Sequence, residues 1–261
     1  MPTWLLPMPD WLLPVILSPF IGSFAALLIR RLPSGEPVVM ARSRCEACGH
    51  RLGPWELIPL VSVVMLGGRC RWCRGRIAPM HLVVELAFIA IAGWAVLAET
   101  DERLVWLDCA LGWSLLTLAW IDWEHMVLPD VLTLPLVLAG LGATWLEEPS
   151  ALGEHAAGAA AGYLAFRAIE IGYRRLRGRD GLGQGDAKLM AAAGAWLGLA
   201  PLPAVVFTAA MIGLAIAAGL RIAGQILHGG SAIPFGPALC AAIWASRLGF
   251  DPLLRLTDRL P

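Results

Sequence analysis

The stretch LVWLDCALGWSLLTLAWI, residues 104–121, leads directly into Asp122 and decides the class of fold. A helix needs about 20 predominantly apolar residues to cross a bilayer, and this stretch is close to that length. A carboxylate at membrane depth costs at least a few kcal/mol, so such an acid is a candidate functional residue by default. A second acid, Asp186, follows Gly183-Gln184-Gly185 and opens another apolar segment. The two acids predict an aspartyl hydrolase that works at a membrane.

The composition is that of a polytopic membrane protein. Of the 261 residues, 58% are hydrophobic and only 15% are charged, and the mean hydropathy is +0.68. Soluble domains usually carry about 25% charged residues. The formal net charge is zero, which argues against a nucleic-acid partner. Met1–Asp10 contains no Lys or Arg, so we do not expect a cleavable signal peptide there.

Eight apolar segments predict an all-α fold with about eight transmembrane helices. The segments lie at residues 11–29, 80–98, 104–121, 131–146, 152–171, 187–200, 203–226 and 235–249. The fourth, sixth and eighth are short for a span, and tilting or local thinning of the bilayer would accommodate them.

Positive charge is concentrated in two loops, and this predicts how the chain is oriented. Nine arginines lie in residues 30–79, and the loop after the fifth segment carries Arg174, Arg175, Arg177 and Arg179. The loops predicted for the opposite side, residues 99–103 and 147–151, hold one arginine between them. By the positive-inside rule the Arg-rich loops are cytoplasmic and, with eight spans, both termini are external. We expect the protein to lie in the inner (plasma) membrane. Asp122 and Asp186 then share the cytoplasmic face.

Residues 30–79 form a polar, Cys-rich insertion. Cys45 and Cys48 form one CxxC pair, Cys70 and Cys73 form another, and this spacing is typical of a four-thiolate zinc site. Four cysteine ligands leave no open coordination position, so the metal would be structural. A dithiol redox pair and two unrelated thiol pairs are the alternatives. The apolar stretch 57–66 is expected to form the core of this small domain or to lie at the membrane interface.

Asp122 and Asp186 are expected to act together as a catalytic pair. Two like-charged carboxylates a few Å apart cannot both ionise easily, so one holds a proton while the other activates a water molecule. We expect Asp122 and Asp186 to form this catalytic pair, with Gly183 and Gly185 allowing the backbone to approach closely. Lys188 either pairs with Asp186 or acts on it electrostatically.

Three other polar groups near Asp122 have simpler explanations. Asp130 follows Pro129 and is expected to cap the fourth span. Glu124 and His125 are expected to be solvated at the membrane surface, while Cys109 and Cys240 are expected to be small buried apolar groups.

In these motifs the chain resembles the type IV prepilin leader peptidases, which are bifunctional aspartyl peptidases and N-methyltransferases. The resemblance covers about residues 21–239 and rests on Gly22-Ser23-Phe24, Arg31-Leu32-Pro33, Ser43-Arg44-Cys45, Ile58-Pro59-Leu60-Val61-Ser62, Gly68–Cys73, Ile77, Asp122 with Leu128-Pro129-Asp130, Gly183–Leu189 and Ile233–Pro237. It implies cleavage of prepilins or pseudopilins after a glycine on the cytoplasmic face. It also implies methylation of the new N-terminus with S-adenosylmethionine. Asp122 and Asp186 match the catalytic positions.

The resemblance also suggests a division of the chain and leaves alternatives open. Residues 1–29 would be the first transmembrane segment, 30–79 a cytoplasmic Cys-rich domain linked to methylation, and 80–261 the membrane peptidase domain. The chain has Glu46 where the family commonly has proline, Leu57 where it often has asparagine, and His81-Leu82 where it often has Tyr-Pro. Alternatives are a peptidase without methyltransferase activity, a non-catalytic zinc-stapled membrane scaffold, and a thiol–disulfide exchanger.

Overall fold

The fold is helical throughout the part of the chain that the computed structural model describes, residues 12–38, 42–178, 181–225 and 233–249, with the side chain of Pro54 left out. Nine α-helices lie in these ranges. They are α1 Leu12–Arg31, α2 Val61–Leu66, α3 Pro79–Ala98, α4 Glu102–His125, α5 Asp130–Glu147, α6 Leu152–Arg177, α7 Gln184–Leu197, α8 Leu202–Ile222 and α9 Gly236–Arg247. The two termini and Arg179 lie outside the described residues, and with them part of the predicted charge asymmetry.

Each of the eight apolar segments forms a helix, which confirms the all-α prediction. Among the described residues, five helices are long and apolar enough to cross a membrane: α1, α3, α4, α5 and α8. The other three are α6, α7 and α9. Helix α7 has 14 residues, which corresponds to about 21 Å against a hydrocarbon core of about 30 Å. Helix α6 continues to Arg177, six residues past its apolar part.

The chain divides into two compact units, one ending at Trp113 and the other beginning at Ser114. In the first unit α1 packs against α3. A Cβ atom on Gly22 would lie 3.0 Å from the Cα of Glu85, so these helices approach closely. The buried Glu85 side chain accepts a hydrogen bond of 2.9 Å from the N–H of Leu60. This bond ties the Cys-rich insertion to the second turn of α3.

The apolar stretch 57–66 is not the core of the insertion. Helix α2 has no buried residue, and Val64 and Met65 are 78% and 80% exposed. The insertion is too small to enclose an apolar core and is instead built from turns around its cysteines. A position at the membrane interface remains the prediction for this stretch.

The second unit is arranged around α7, which is buried along most of its length. Helices α5, α6 and α9 all pack against it. The α6 contact is made through small residues. A Cβ on Gly194 of α7 would lie 2.2 Å from the backbone carbon of Gly158, and Gly158 and Gly162 form a GxxxG pattern on α6. This close packing holds α7, which carries Asp186 in its first turn.

Candidate active site

Asp122 lies in the last turn of α4 and is only 6% exposed. Its Oδ2 accepts a hydrogen bond of 2.9 Å from the N–H of Gly236, the first residue of α9. The rest of this turn carries the exposed Trp123 and ends at His125. The carboxylate is therefore turned into the second unit, away from the exposed side of its helix.

Asp186 is the third residue of α7 and is 7% exposed. Gly183 is the N-cap of this helix, and its N–H donates to Asp186 Oδ2 at 3.2 Å. The backbone N–H of Asp186 donates in turn to the carbonyl of Gly183 at 3.2 Å. The Gly-x-Gly-Asp sequence is thus a helix start in which the N3 acid satisfies the cap N–H.

Gly185 permits the close approach that its sequence context predicts. An added Cβ would lie 2.7 Å from the Cβ of Leu128, which precedes Pro129 in the loop after α4. The helix start that carries Asp186 is therefore packed directly against the segment that follows Asp122. The two carboxyl groups lie close enough to interact electrostatically. The structure brings together the two acids that the sequence singled out.

Lys188 does not contact Asp186. It forms an ion pair with Asp130, the first residue of α5. Asp130 is not the N-cap of α5, since Pro129 occupies that position, so the predicted capping role was wrong. Residues two apart on a helix point in different directions, which explains why Lys188 reaches α5 rather than Asp186.

Glu124 and His125 lie where they were expected, at the exposed end of α4. The Trp120 indole N–H donates to Glu124 Oε1 at 2.8 Å, and His125 lies 3.8 Å from the same carboxylate. Cys109 and Cys240 are both buried, as predicted.

The cysteines of the insertion, Cys45, Cys48, Cys70 and Cys73, converge on one point. Their sulfur atoms all lie within 4.8 Å of one another, and we call this group the Cys site. The Sγ atoms of Cys45 and Cys73 are 3.8 Å apart. In a tetrahedral site with Zn–S bonds of about 2.3 Å, sulfurs are separated by about 3.8 Å. The donor set and its spacing fit a structural zinc ion.

Two matching turns build the Cys site. In each turn the first cysteine N–H donates to the carbonyl five residues later, at 2.8 Å from Cys45 to His50 and 2.8 Å from Cys70 to Gly75. A β-bridge closes each turn, Arg44 with Arg51 and Arg69 with Arg76. The sequence repeats accordingly as Arg-Cys-x-x-Cys-x-x-Arg, a short repeat that we did not predict.

The backbone of the first turn favours the thiolate form of one cysteine, Cys45. Hydrogen bonds from the N–H groups of Cys48 and Ala47 lower the pKa of Cys45 to about 7. A thiolate is the form that binds metal, so this shift favours coordination near neutral pH.

Comparison with known proteins identifies the family to which the chain belongs. The model of the type IV leader peptidase family matches residues 109–218, and that of the bacterial N-terminal domain of this peptidase family matches residues 16–98. A protein of Pseudomonas aeruginosa named prepilin leader peptidase/N-methyltransferase is 33% identical over 264 residues, covering 92% of this chain and 91% of the relative. The chain belongs to the type IV leader peptidase family.

Other members of the type IV leader peptidase family are similarly close. An Aeromonas hydrophila protein of the same name is 35% identical and covers 92% of this chain and 91% of the relative. A Dichelobacter nodosus protein of that name is 36% identical over 81% of this chain and 72% of the relative. No solved structure matches the chain. The matched ranges contain both aspartates and all four cysteines of the Cys site, but not Gly236.

Two departures from the family pattern, Glu46 and His81, are neighbours in the structure. Glu46 Oε1 lies 3.1 Å from Arg30 Nε and 3.9 Å from His81 Nε2. Arg30 is in the last turn of α1 and His81 in the first turn of α3. Glu46 and His81 stand where the family commonly has proline and often has tyrosine. Through them the Cys-rich insertion is connected to both adjoining helices.

Proposed function

We propose that this protein is a membrane aspartyl endopeptidase that removes the leader from type IV prepilins or pseudopilins after a glycine, and then methylates the new N-terminus. The observation that carries the peptidase is the convergence of two buried carboxylates, Asp122 and Asp186, in a helical unit of the leader peptidase family. An ordinary structural role does not require two electrostatically coupled acids held by separate helices.

The chemistry follows from the shared proton of such a pair. One carboxylate removes a proton from a water molecule, which attacks the carbonyl carbon of the scissile peptide bond. The protonated partner donates a hydrogen bond to the carbonyl oxygen and the pair then delivers a proton to the leaving amine. The C–N bond breaks and releases the leader as a carboxylate. The two aspartates titrate as a unit because their charges are coupled.

We assign methylation to residues 30–79 and place zinc in the Cys site as its scaffold. The methyl group passes from the sulfonium sulfur of S-adenosylmethionine to the amine nitrogen, which gives up a proton. The insertion offers one acid suited to a cationic ligand: Glu56 Oε1 is a buried carboxylate oxygen with no hydrogen-bond partner among the described residues. Its Oε2 accepts from the N–H of Gly53 at 2.7 Å, which leaves Oε1 available.

The proposed location is the inner membrane with the aspartates facing the cytoplasm. The support is the arginine content of residues 30–79 and of the end of α6, since positively charged loops are retained on that side. Labelling of single cysteines introduced at the exposed Arg175 of α6 and at the exposed Glu148 tests it in intact cells, on a variant that lacks other reactive thiols. Position 175 should be protected from an impermeant reagent and position 148 should react.

Substitution of the two acids tests the peptidase. We expect Asp122→Asn and Asp186→Asn each to reduce cleavage of a co-expressed prepilin by at least about a thousandfold, because either change removes one partner in proton transfer. Glu124→Gln is the matched control, an exposed acid one half-turn from Asp122, and should cleave normally. Immunoblotting of precursor and mature pilin, with the amount of enzyme in the membrane, measures this. Normal cleavage by both aspartate variants would rule out the aspartyl mechanism.

Mass measurement of the mature pilin N-terminus tests methylation separately. We expect Glu56→Gln to lower the methylated fraction without changing cleavage. If mature pilin processed by the wild-type enzyme carried no methyl group, the protein would be a peptidase without methyltransferase activity.

A further inference from the structure

We infer that Gly236 positions Asp122 for catalysis through its backbone N–H, and that the position requires glycine because the carboxylate occupies the space of a side chain. The inference rests on the proposed catalytic role of Asp122. Gly236 lies in the segment Ile233–Pro237 and is the first residue of α9. This segment is beyond the range that the peptidase family model matches. It is 114 positions from Asp122 in the chain and donates to Oδ2 at 2.9 Å.

The steric requirement comes from the aspartate itself. A Cβ on Gly236 would lie 2.5 Å from Asp122 Oδ2, 2.9 Å from its Cγ and 3.1 Å from its Cβ. The backbone of Gly236 is not in the left-handed region that favours glycine, so backbone conformation does not explain the residue. Asp122 is buried and its Cβ is fixed to the end of α4, so the carboxylate cannot move aside freely.

The hydrogen bond also uses an N–H that the helix leaves free. The first N–H groups of a helix have no partner within it, and they favour a nearby negative charge. The next residue, Pro237, has no N–H, so Gly236 is the donor at this point of the first turn.

Each of the two aspartates is held by a hydrogen bond from a glycine N–H, but the two glycines lie in different parts of the chain. Oδ2 of each accepts a glycine N–H, from Gly236 for Asp122 and from Gly183 for Asp186. Among the described residues, neither Oδ1 accepts a hydrogen bond. One oxygen of each acid is therefore available for the proton, the water molecule and the substrate. Gly183 belongs to the same helix start as Asp186, whereas Asp122 depends on a residue from the far end of the chain. Carboxylate geometry in such sites must hold within about 0.5 Å, so this anchor governs the rate.

Gly236→Ala in the full-length protein, purified in detergent, is the test. We expect kcat for prepilin cleavage to fall at least about a hundredfold while KM stays within about threefold, since a misplaced reacting group affects turnover before binding. Gly213→Ala is the matched control on α8. Its Cβ would lie 3.7 Å from the Phe235 ring and 3.9 Å from the Ala238 Cβ, which are ordinary contacts beside the same helix start. It should keep kcat within about twofold.

A thermal-unfolding cycle separates positioning from a general packing defect. If the added methyl group meets the carboxylate, Gly236→Ala should lower the melting temperature in the wild type and do so much less in an Asp122→Ala background. An equal loss in both backgrounds would show that α9 is disturbed for other reasons and would overturn the inference, even if the single variant is poorly folded.

A wild-type kcat in Gly236→Ala would also overturn the inference. Asp122→Asn, assayed in parallel, tells the two failures apart: if it is inactive, only the role of Gly236 is lost, and if it is active, the proposed mechanism is lost.

Discussion

The Cys site and the aspartate pair, Asp122 with Asp186, are assembled in opposite ways. Each half of the Cys site is closed within eight residues by its own backbone hydrogen bonds and β-bridge. Two of its four cysteines are exposed. The aspartates are both buried, and Asp122 is held by an N–H that lies 114 positions away.

This difference shows which part of the sequence each centre depends on. A local turn with metal ligands needs its spacing and the metal, and it tolerates change in the helices around it. A carboxylate pair between helices needs the whole packing of its unit. The two centres also lie in different compact units. Damage to one should therefore leave the other intact, and the experiments below are designed to challenge that separation.

Among the experiments on this separation, Gly194→Val should give the largest effect. The close approach of α6 and α7 leaves no room at this position, because even a Cβ would lie 2.2 Å from the Gly158 backbone. Overpacking of this kind costs about 3 kcal/mol or more and displaces the helix that carries Asp186. We expect cleavage to fall at least about a hundredfold, with about one zinc ion per chain still bound.

Gly172→Val is the control for that prediction. Gly172 lies on α6, and an added Cβ there meets nothing within 4 Å. It should cleave within about twofold of the wild type. Loss of zinc in Gly194→Val, measured by metal analysis of the purified protein, would show that the two units depend on each other.

Cys45→Ser combined with Cys73→Ser should give the converse result. Two serines remove two of the four sulfurs, whose Sγ atoms are 3.8 Å apart, so zinc content should fall to near zero. We expect methylation of mature pilin to fall about 10- to 100-fold, while cleavage stays within about threefold because the aspartates lie in the other unit. Cys109→Ala, a cysteine outside the Cys site, should keep its zinc. Equal loss of cleavage and methylation would contradict the separation.

The Cys site was predictable because its information is local. The spacing of Cys45, Cys48, Cys70 and Cys73 is sufficient to suggest four sulfurs around one ion, and the structure brings them together. The matching Arg-Cys-x-x-Cys-x-x-Arg turns were also present in the sequence, but they were too short to stand out as a repeat. Aspartates 122 and 186 were found from their unusual position in apolar segments and from the family resemblance.

The contacts between distant segments were not predictable in the same way. Nothing near Asp122 indicates which backbone N–H will bind it, since Gly236 reaches it through the packing of α9 against α8 and α7. The partner of Lys188 was missed because we considered the nearest acid in sequence, although helix geometry alone points Lys188 and Asp186 in different directions.

The ion pair of Lys188 with Asp130 should have a small effect that is separable from catalysis. Their side chains are 25% and 58% exposed, and pairs of this kind contribute about 0.2–1 kcal/mol. A double-mutant cycle with Lys188→Ala and Asp130→Ala should give a coupling of about that size in thermal unfolding. Cleavage should remain within about threefold in all three variants. Loss of cleavage in Lys188→Ala as severe as in Asp186→Asn would instead give Lys188 a direct role at the aspartate pair.

The smallest effect should come from substituting the fifth residue of each cysteine turn, counted from its first cysteine. Gly49 has φ 70° and Arg74 has φ 57°, so both turns use the left-handed region, but only one of them has a glycine there. A residue other than glycine costs about 1 kcal/mol in this conformation. Arg74→Gly should therefore tighten zinc binding up to about fivefold, and Gly49→Ala should weaken it by a similar factor, because metal binding and ordering of the turn are coupled.

A Cβ on Gly49 would meet nothing within 4 Å, so only the backbone conformation is tested. Competition with a chromophoric chelator on the full-length protein measures both affinities, with cleavage unchanged in each. If Arg74→Gly weakened zinc binding, the arginine side chain, rather than its backbone, would be what the second turn needs.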